Sequence, residues 1–156
     1  MKIAMTVIGL AALGLIVLAL CFGAYVRLAP DDLARWHIDI ATDKVATAGL
    51  CGDQIITATN SARTVCLSST PAPELLTRLD RIAKAAPRTT LLAGDAASGR
   101  ITWITRSLLW GFPDYTTAQA SQTPQGTRLE IFARLRYGET DMGVNAARLR
   151  DWLNQF

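Results

Sequence analysis

The sequence predicts an α+β protein: one N-terminal transmembrane helix, then a small two-layer domain with a four-stranded antiparallel sheet flanked by helices. Three observations predict it. Residues 3–26 form an uncharged apolar run. A segment of helical period follows and stops at Pro87. Beyond Pro87 the period changes to that of strands, in pairs of runs joined by turn-forming residues. The expected organisation is a transmembrane helix at 3–26, a juxtamembrane segment at 27–41 and a soluble domain at 42–156.

The apolar run spans 24 residues between Lys2 and Arg27. As a helix it is roughly 36 Å long, enough to cross a hydrocarbon core of ~30 Å with some tilt. It exceeds the 7–15 residues usual for the apolar region of a secretory signal, and Ala19-Leu20-Cys21 and Phe22-Gly23-Ala24 are poor small-x-small sites. An uncleaved anchor is therefore expected, with Cys21 an apolar residue inside it.

Ala29–Ile40 reads as a juxtamembrane segment in which Pro30 and the Asp31-Asp32 pair cap a short helix. Trp36, so close to the membrane exit, suits either an interfacial anchor or a side chain packed on its own domain. His37 is the only histidine, so it has no partner histidine for a metal site.

Residues 42–67 are small and polar, with short apolar patches at Ile55-Ile56 and Val65-Cys66, and Ser68–Pro73 has the composition of a loop. Pro73 and Glu74 open a helix whose Leu75, Leu76, Leu79, Ile82 and Ala83 keep helical spacing. Thr89–Ala93 and Arg100–Ser107 read as one hairpin, and Tyr115–Ser121 and Thr127–Tyr137 as a second. In the last strand Leu129, Ile131, Ala133 and Leu135 share one face; Arg128, Glu130, Phe132, Arg134 and Arg136 share the other. A final helix starts between Asp141 and Asn145, with Leu149, Trp152 and Leu153 toward the core.

Charge and cysteines bound the function. With Lys2 set aside, fifteen Lys or Arg face thirteen Asp or Glu, and no basic run is interleaved with aromatics. Nucleic-acid binding is disfavoured. Cys51 and Cys66, fifteen positions apart, are a natural disulfide in an oxidising compartment and two buried thiols in a reducing one. Without a CxxC motif or a histidine cluster they do not suggest a metal site, and no cofactor is expected. Lys2 argues for a cytoplasmic amino terminus, whereas Arg27, Arg35 and Lys44 lean the other way. The cysteine pair tips the reading toward a periplasmic domain on a bacterial inner membrane.

The stretch Arg136-Tyr137-Gly138-Glu139-Thr140-Asp141-Met142-Gly143-Val144-Asn145-Ala146-Ala147-Arg148 resembles the pattern R-x-G-x-x-D-x-G-x-N-x-x-R that closes the Domain of Unknown Function 1499 family. Thr105-Arg106-Ser107 and Gly111-Phe112-Pro113-Asp114 are similar to it as well, and the resemblance covers about Glu74 to Phe156. The chain departs from the family at Tyr115, where a second acid is common, and at Ala133 and Leu135, where serines are common. The resemblance implies an envelope-type domain of bacteria or plastids and no established reaction.

Read physically, Asp141 or Asn145 is placed to cap the last helix, and Arg148 to reach back to Asp141 or Asp114. This gives a strand-to-helix corner held by a polar network. The same Arg106, Asp114, Arg134, Arg136, Asp141, Asn145 and Arg148 are the candidate ligand residues, their guanidinium groups serving an anion or carboxylate. A catalytic role would require a nucleophile paired with a base, and no such signature is present. Leu108, Leu109, Trp110 and Phe112, with Trp36, are the candidates for contact with a partner or a membrane. Exposed, the loop would be such a tip; folded under the sheet, it would complete the core. The preferred expectation is a membrane-anchored, non-enzymatic accessory or assembly protein that binds a membrane-protein partner. An anion- or lipid-binding module using the Arg-rich sheet face, and an uncharacterised hydrolase, are the alternatives.

Overall fold

A computed structural model describes residues 2–44, 46–48 and 51–156. Helix α1 runs over Lys2–Leu28, and its Ala4–Leu28 portion is long and apolar enough to cross a membrane. A single turn, α2 (Leu33–Trp36), follows; Asp32 caps it by accepting the Ala34 amide at 2.9 Å. Then come β1 (Thr47–Ala48), a 3-10 turn at Cys51–Gln54, β2 (Ile56–Ala58), β3 (Ser61–Ser68) and α3 (Ala72–Ala85). Two hairpins succeed them: β4 (Thr89–Asp95) with β5 (Arg100–Arg106), and β6 (Pro113–Thr123) with β7 (Gly126–Leu135). Helix α4 (Val144–Leu153) closes the described chain.

The sheet is wider than the four strands that the sequence predicts. Its order is β1-β3-β7-β6-β5-β4, six positions across, and β2 shares with β1 the outer edge of β3. Every pairing is antiparallel except that of β1 with β3. Sequence reading passes over β1, β2 and β3, of which β3 is the longest, paired with β7 from Ser61↔Arg134 to Ser68↔Thr127. Its sequence, SARTVCLS, does not alternate apolar with polar residues along its length as β7 does.

One face of the sheet carries the helices. Leu76, Leu79 and Ala83 of α3 and Ala146, Leu149 and Trp152 of α4 are buried over Trp103, Leu129 and Ile131. Trp103 meets Trp152 edge-on at 5.6 Å and donates its indole N–H to Asp80 at 2.9 Å, so its one polar atom is satisfied. Cys51 and Cys66 are joined as a disulfide at the margin of this core.

The opposite face is covered by the segment from Ala29 to Lys44. Trp36 is 6% exposed, stacked flat on Tyr115 at 3.9 Å. Of the two positions open to Trp36 on sequence grounds, it takes the one packed on its own domain. Its carbonyl accepts from Arg134 at 2.8 Å and from the Thr117 hydroxyl at 3.3 Å. Farther along, the Ile40 carbonyl accepts from Arg63 at 2.6 Å, and Arg128 donates to the Thr42 and Lys44 carbonyls. Glu130, buried on this face, accepts from Thr42, Arg63 and Arg128. The charged face of β7 is thus an internal surface that holds the segment by its backbone.

Candidate functional site

Two polar clusters and one loop lie where β5 and β7 end and β6 begins, beside α1 and α4. The first cluster is the corner that leads into α4. Asp141 accepts the amides of Gly143 at 2.9 Å and Asn145 at 3.2 Å, satisfying donors that the start of a helix leaves open. Gly143 stands at φ +80 and Met142 at φ +51, so the chain turns through left-handed conformations to present that carboxylate. Arg148 donates to Asp114 at 2.9 Å and to the side-chain oxygen of Asn145. Burial pushes the Asp114 carboxyl above its ordinary value, and the Arg148 guanidinium pulls against that rise. Asn145 is fully buried and its side-chain nitrogen, Nδ2, is unpartnered.

A cavity of about 230 Å³ adjoins this corner, lined by Arg88, Arg106, Ser107, Asp114, Asp141 and Arg148 among others. It meets a larger groove of about 700 Å³ between α3 and α4, and Arg88, Thr105, Val144 and Arg148 line both. The cavity holds no nucleophile joined to a base. The Ser107 hydroxyl accepts the Phe112 amide at 3.0 Å, and the Thr105 hydroxyl bonds that of Thr89 at 2.9 Å. His37 lies in the segment covering the other face of the sheet, its Nδ1 2.9 Å from the Thr102 hydroxyl. Desolvation, aided by Arg100, lowers its pKa. Among the described residues no group of three or more His, Cys, Asp and Glu is placed to hold a metal ion.

The second cluster fastens the membrane-exit segment to the sheet. Asp31 pairs with Arg106 at 3.1 Å and Arg136 at 3.4 Å, and it accepts a hydrogen bond from the Tyr115 hydroxyl. Arg136 also donates to the Pro30 carbonyl at 3.0 Å and to the Tyr115 oxygen at 3.1 Å. Burial, first, and the Asp31 contact raise the Tyr115 phenol to about 12, so it remains a donor at any physiological pH.

The candidates therefore separate. Asp114, Asp141, Asn145 and Arg148 come together at the corner, and Arg106 lines the same cavity while turning its charge to Asp31. Arg136 belongs to the Asp31 cluster. Arg134 lies elsewhere, its guanidinium 5.4 Å from the Trp36 ring and 5.0 Å from Phe132, with its pKa lowered by burial to about 10. Neither Arg134 nor Arg136 lines the cavity or the groove. Sequence reading missed Asp31 and Tyr115 as members of the polar network, and Arg88 as the cation between cavity and groove. The Asp31-Asp32 doublet was the available signal: one carboxylate caps α2, which frees the other.

The loop Ser107–Phe112 abuts the end of α1. Phe22 meets Trp110 at 5.9 Å and Phe112 at 6.0 Å, both edge-on, and Arg27 donates to the Leu109 carbonyl at 3.0 Å. Leu108 and Leu109 remain 77% and 73% exposed. The loop does not fold beneath the sheet.

Comparison with known proteins adds a family and a distant likeness of fold. The profile of a family described as "Protein of unknown function (DUF1499)" matches residues 39–156, reaching farther toward the amino terminus than the motifs quoted above. No curated protein matches the chain. Among solved structures, protein MLL2253 from Mesorhizobium loti is 12% identical with a TM-score of 0.45; the match covers 61% of this chain and 95% of that one. Protein Ms6760 from Mycobacterium smegmatis is 11% identical with a TM-score of 0.36, over 65% and 92% of the respective chains. Similarity at these scores carries no argument about function.

Proposed function

The chain belongs to the DUF1499 family, of unknown function, and on that premise we propose a membrane-anchored, non-enzymatic accessory or assembly protein. Its domain binds a partner within a bacterial inner-membrane or envelope complex, on the periplasmic side. The observation that carries this reading is the course of residues 29–44. They form no free tether. They lie across the sheet, bound through the Pro30, Trp36, Ile40, Thr42 and Lys44 carbonyls to arginines of β3 and β7 and the residue that follows β7. A domain fixed in this way to an apolar helix stands at a set height and orientation over a bilayer, which suits recognition of another membrane protein. The motif residues support the same reading, because Asp141 caps α4 and Arg148 is held by Asp114 and Asn145. The disulfide is consistent with an oxidising compartment.

The groove supports a second reading. Its walls include Ile82, Ala86, Pro87, Val144 and Trp152, with Arg88 and Arg148 where it meets the smaller cavity. An anion carrying an apolar tail suits that combination, on the helix-bearing side of the domain and not on the Arg-rich sheet face.

The test is purification of the tagged full-length protein from its own membranes in two mild detergents. A membrane protein retained at one fixed stoichiometry in both is the expected result. A lone chain with a bound amphiphile moves the assignment to the groove. A lone chain carrying nothing overturns both readings.

A further inference from the structure

The β5–β6 loop lies against α1 below the helix's outer end. Gly23 is five residues before Leu28, roughly 7.5 Å along the axis. A Cβ placed on Gly23 would stand 3.7 Å from the Trp110 ring, so the indole is level with that turn. The 25 residues Ala4–Leu28 extend about 37 Å, against a hydrocarbon core of ~30 Å. Centred on that core, the helix projects about 4 Å at either end, which puts Gly23 and Trp110 just inside the boundary between headgroups and acyl chains.

The loop is built to stay there. The Ser107 amide donates to the Phe112 carbonyl at 2.9 Å and the Phe112 amide to the Ser107 hydroxyl at 3.0 Å, closing its base. Gly111, at φ +74, lets the loop approach α1: a Cβ there would lie 3.0 Å from both Cγ and Nε of Arg27. Arg27 in turn holds the Leu109 carbonyl. At the tip, Leu108 and Leu109 point into no part of the protein, and a Trp ring and an exposed Arg flank them at the depth where such residues are favoured.

We propose that this loop is a second membrane contact: Leu108 and Leu109 enter the headgroup–acyl boundary of the leaflet from which α1 emerges. The contact rests on α1 spanning the bilayer. It makes the domain a two-point attachment, with one spanning helix and one interfacial tip, and so restrains rotation of the domain about the helix axis.

Full-length protein carrying Cys21→Ala and Leu109→Cys, labelled with an environment-sensitive fluorophore and reconstituted into vesicles of phosphatidylcholine and phosphatidylglycerol, tests this. Gln125→Cys, on the exposed turn at the far end of the β6–β7 hairpin, is the reference. The label at 109 should be quenched several-fold more by lipids spin-labelled near the top of the acyl chain than the label at 125, and several-fold less by aqueous iodide. Equal iodide quenching at both positions, in protein that resists alkaline extraction, would overturn the loop contact and leave the anchor standing. Shielding of position 109 from both quenchers would also overturn it, since protein and not lipid would then cover the loop. Release of the protein from the vesicles by alkali would remove the anchor and the contact together.

Discussion

Asp114 and Arg148 illustrate how charge is managed at single residues in this domain. Their side chains are 16% and 11% exposed, and the guanidinium is what makes a buried carboxylate tolerable on the edge of the cavity. Replacing Arg148 with Ala leaves Asp114 desolvated and without its cation, which should cost about 3 kcal/mol at neutral pH. The sign of the pH dependence follows from Asp114. Its folded pKa is raised, and removing Arg148 raises it further, so the folded variant binds a proton more readily than the unfolded chain. The deficit is therefore largest above the raised pKa and shrinks as the pH falls into the ordinary carboxylate range. Denaturant unfolding of wild-type and Arg148→Ala protein in detergent at about pH 7 and about pH 4 should show the two curves approaching at the lower pH. A deficit independent of pH would contradict this assignment of charge. At this scale the sequence was informative where spacing is short: Asp141 capping α4, and Arg148 one turn from Asn145, follow from the local pattern. Asp31 with Tyr115 and Arg106 was not legible, since its partners are 84 and 75 positions away and no local period reports a pairing across that distance.

Among the elements, the segment from Ala29 to Lys44 does the most to shape the molecule. It contributes a large ring at Trp36, a buried Ile40 and a series of backbone carbonyls, so its attachment combines apolar burial with charge-assisted hydrogen bonds. Trp36→Ala removes the stack on Tyr115 and opens a cavity over the sheet, for an expected loss of about 3–4 kcal/mol. Limited proteolysis should then cut between residues 29 and 44 well before it cuts the hairpins, whereas simultaneous cleavage everywhere would mean that the segment is not a separable layer. Both hairpins were legible because turn-forming residues separate their strands and β7 alternates apolar with polar side chains. The strand β3 was not, for the reason its neighbours make plain: the arginines Arg63, Arg128 and Arg134 look solvated in sequence, yet they face a covering segment and not water. The same cover removes the sheet face from consideration as an open anion site.

For the whole molecule, the apolar helix, the covering segment and the sheet form one continuous body. Much of its exposed apolar surface is on α1 and at Leu108-Leu109, the two features that meet at Phe22 and Trp110. The helix was legible from composition alone. How closely the domain seats against it was not, because that depends on Gly111, at φ +74, permitting an approach to Arg27 that no pattern in the sequence announces. Function is read at this scale too: a covered sheet face and a fixed height over the helix favour a protein that meets its partner at the membrane. The most direct measurement is the intact mass and partition of the native chain in alkali-washed membranes, with protease added from the periplasmic side. The account predicts that before protease is added the chain keeps Lys2–Leu28 and stays in the membrane, and that on addition of protease its domain is digested. A chain cleaved after the helix before protease is added, and recovered in the soluble fraction, would contradict it.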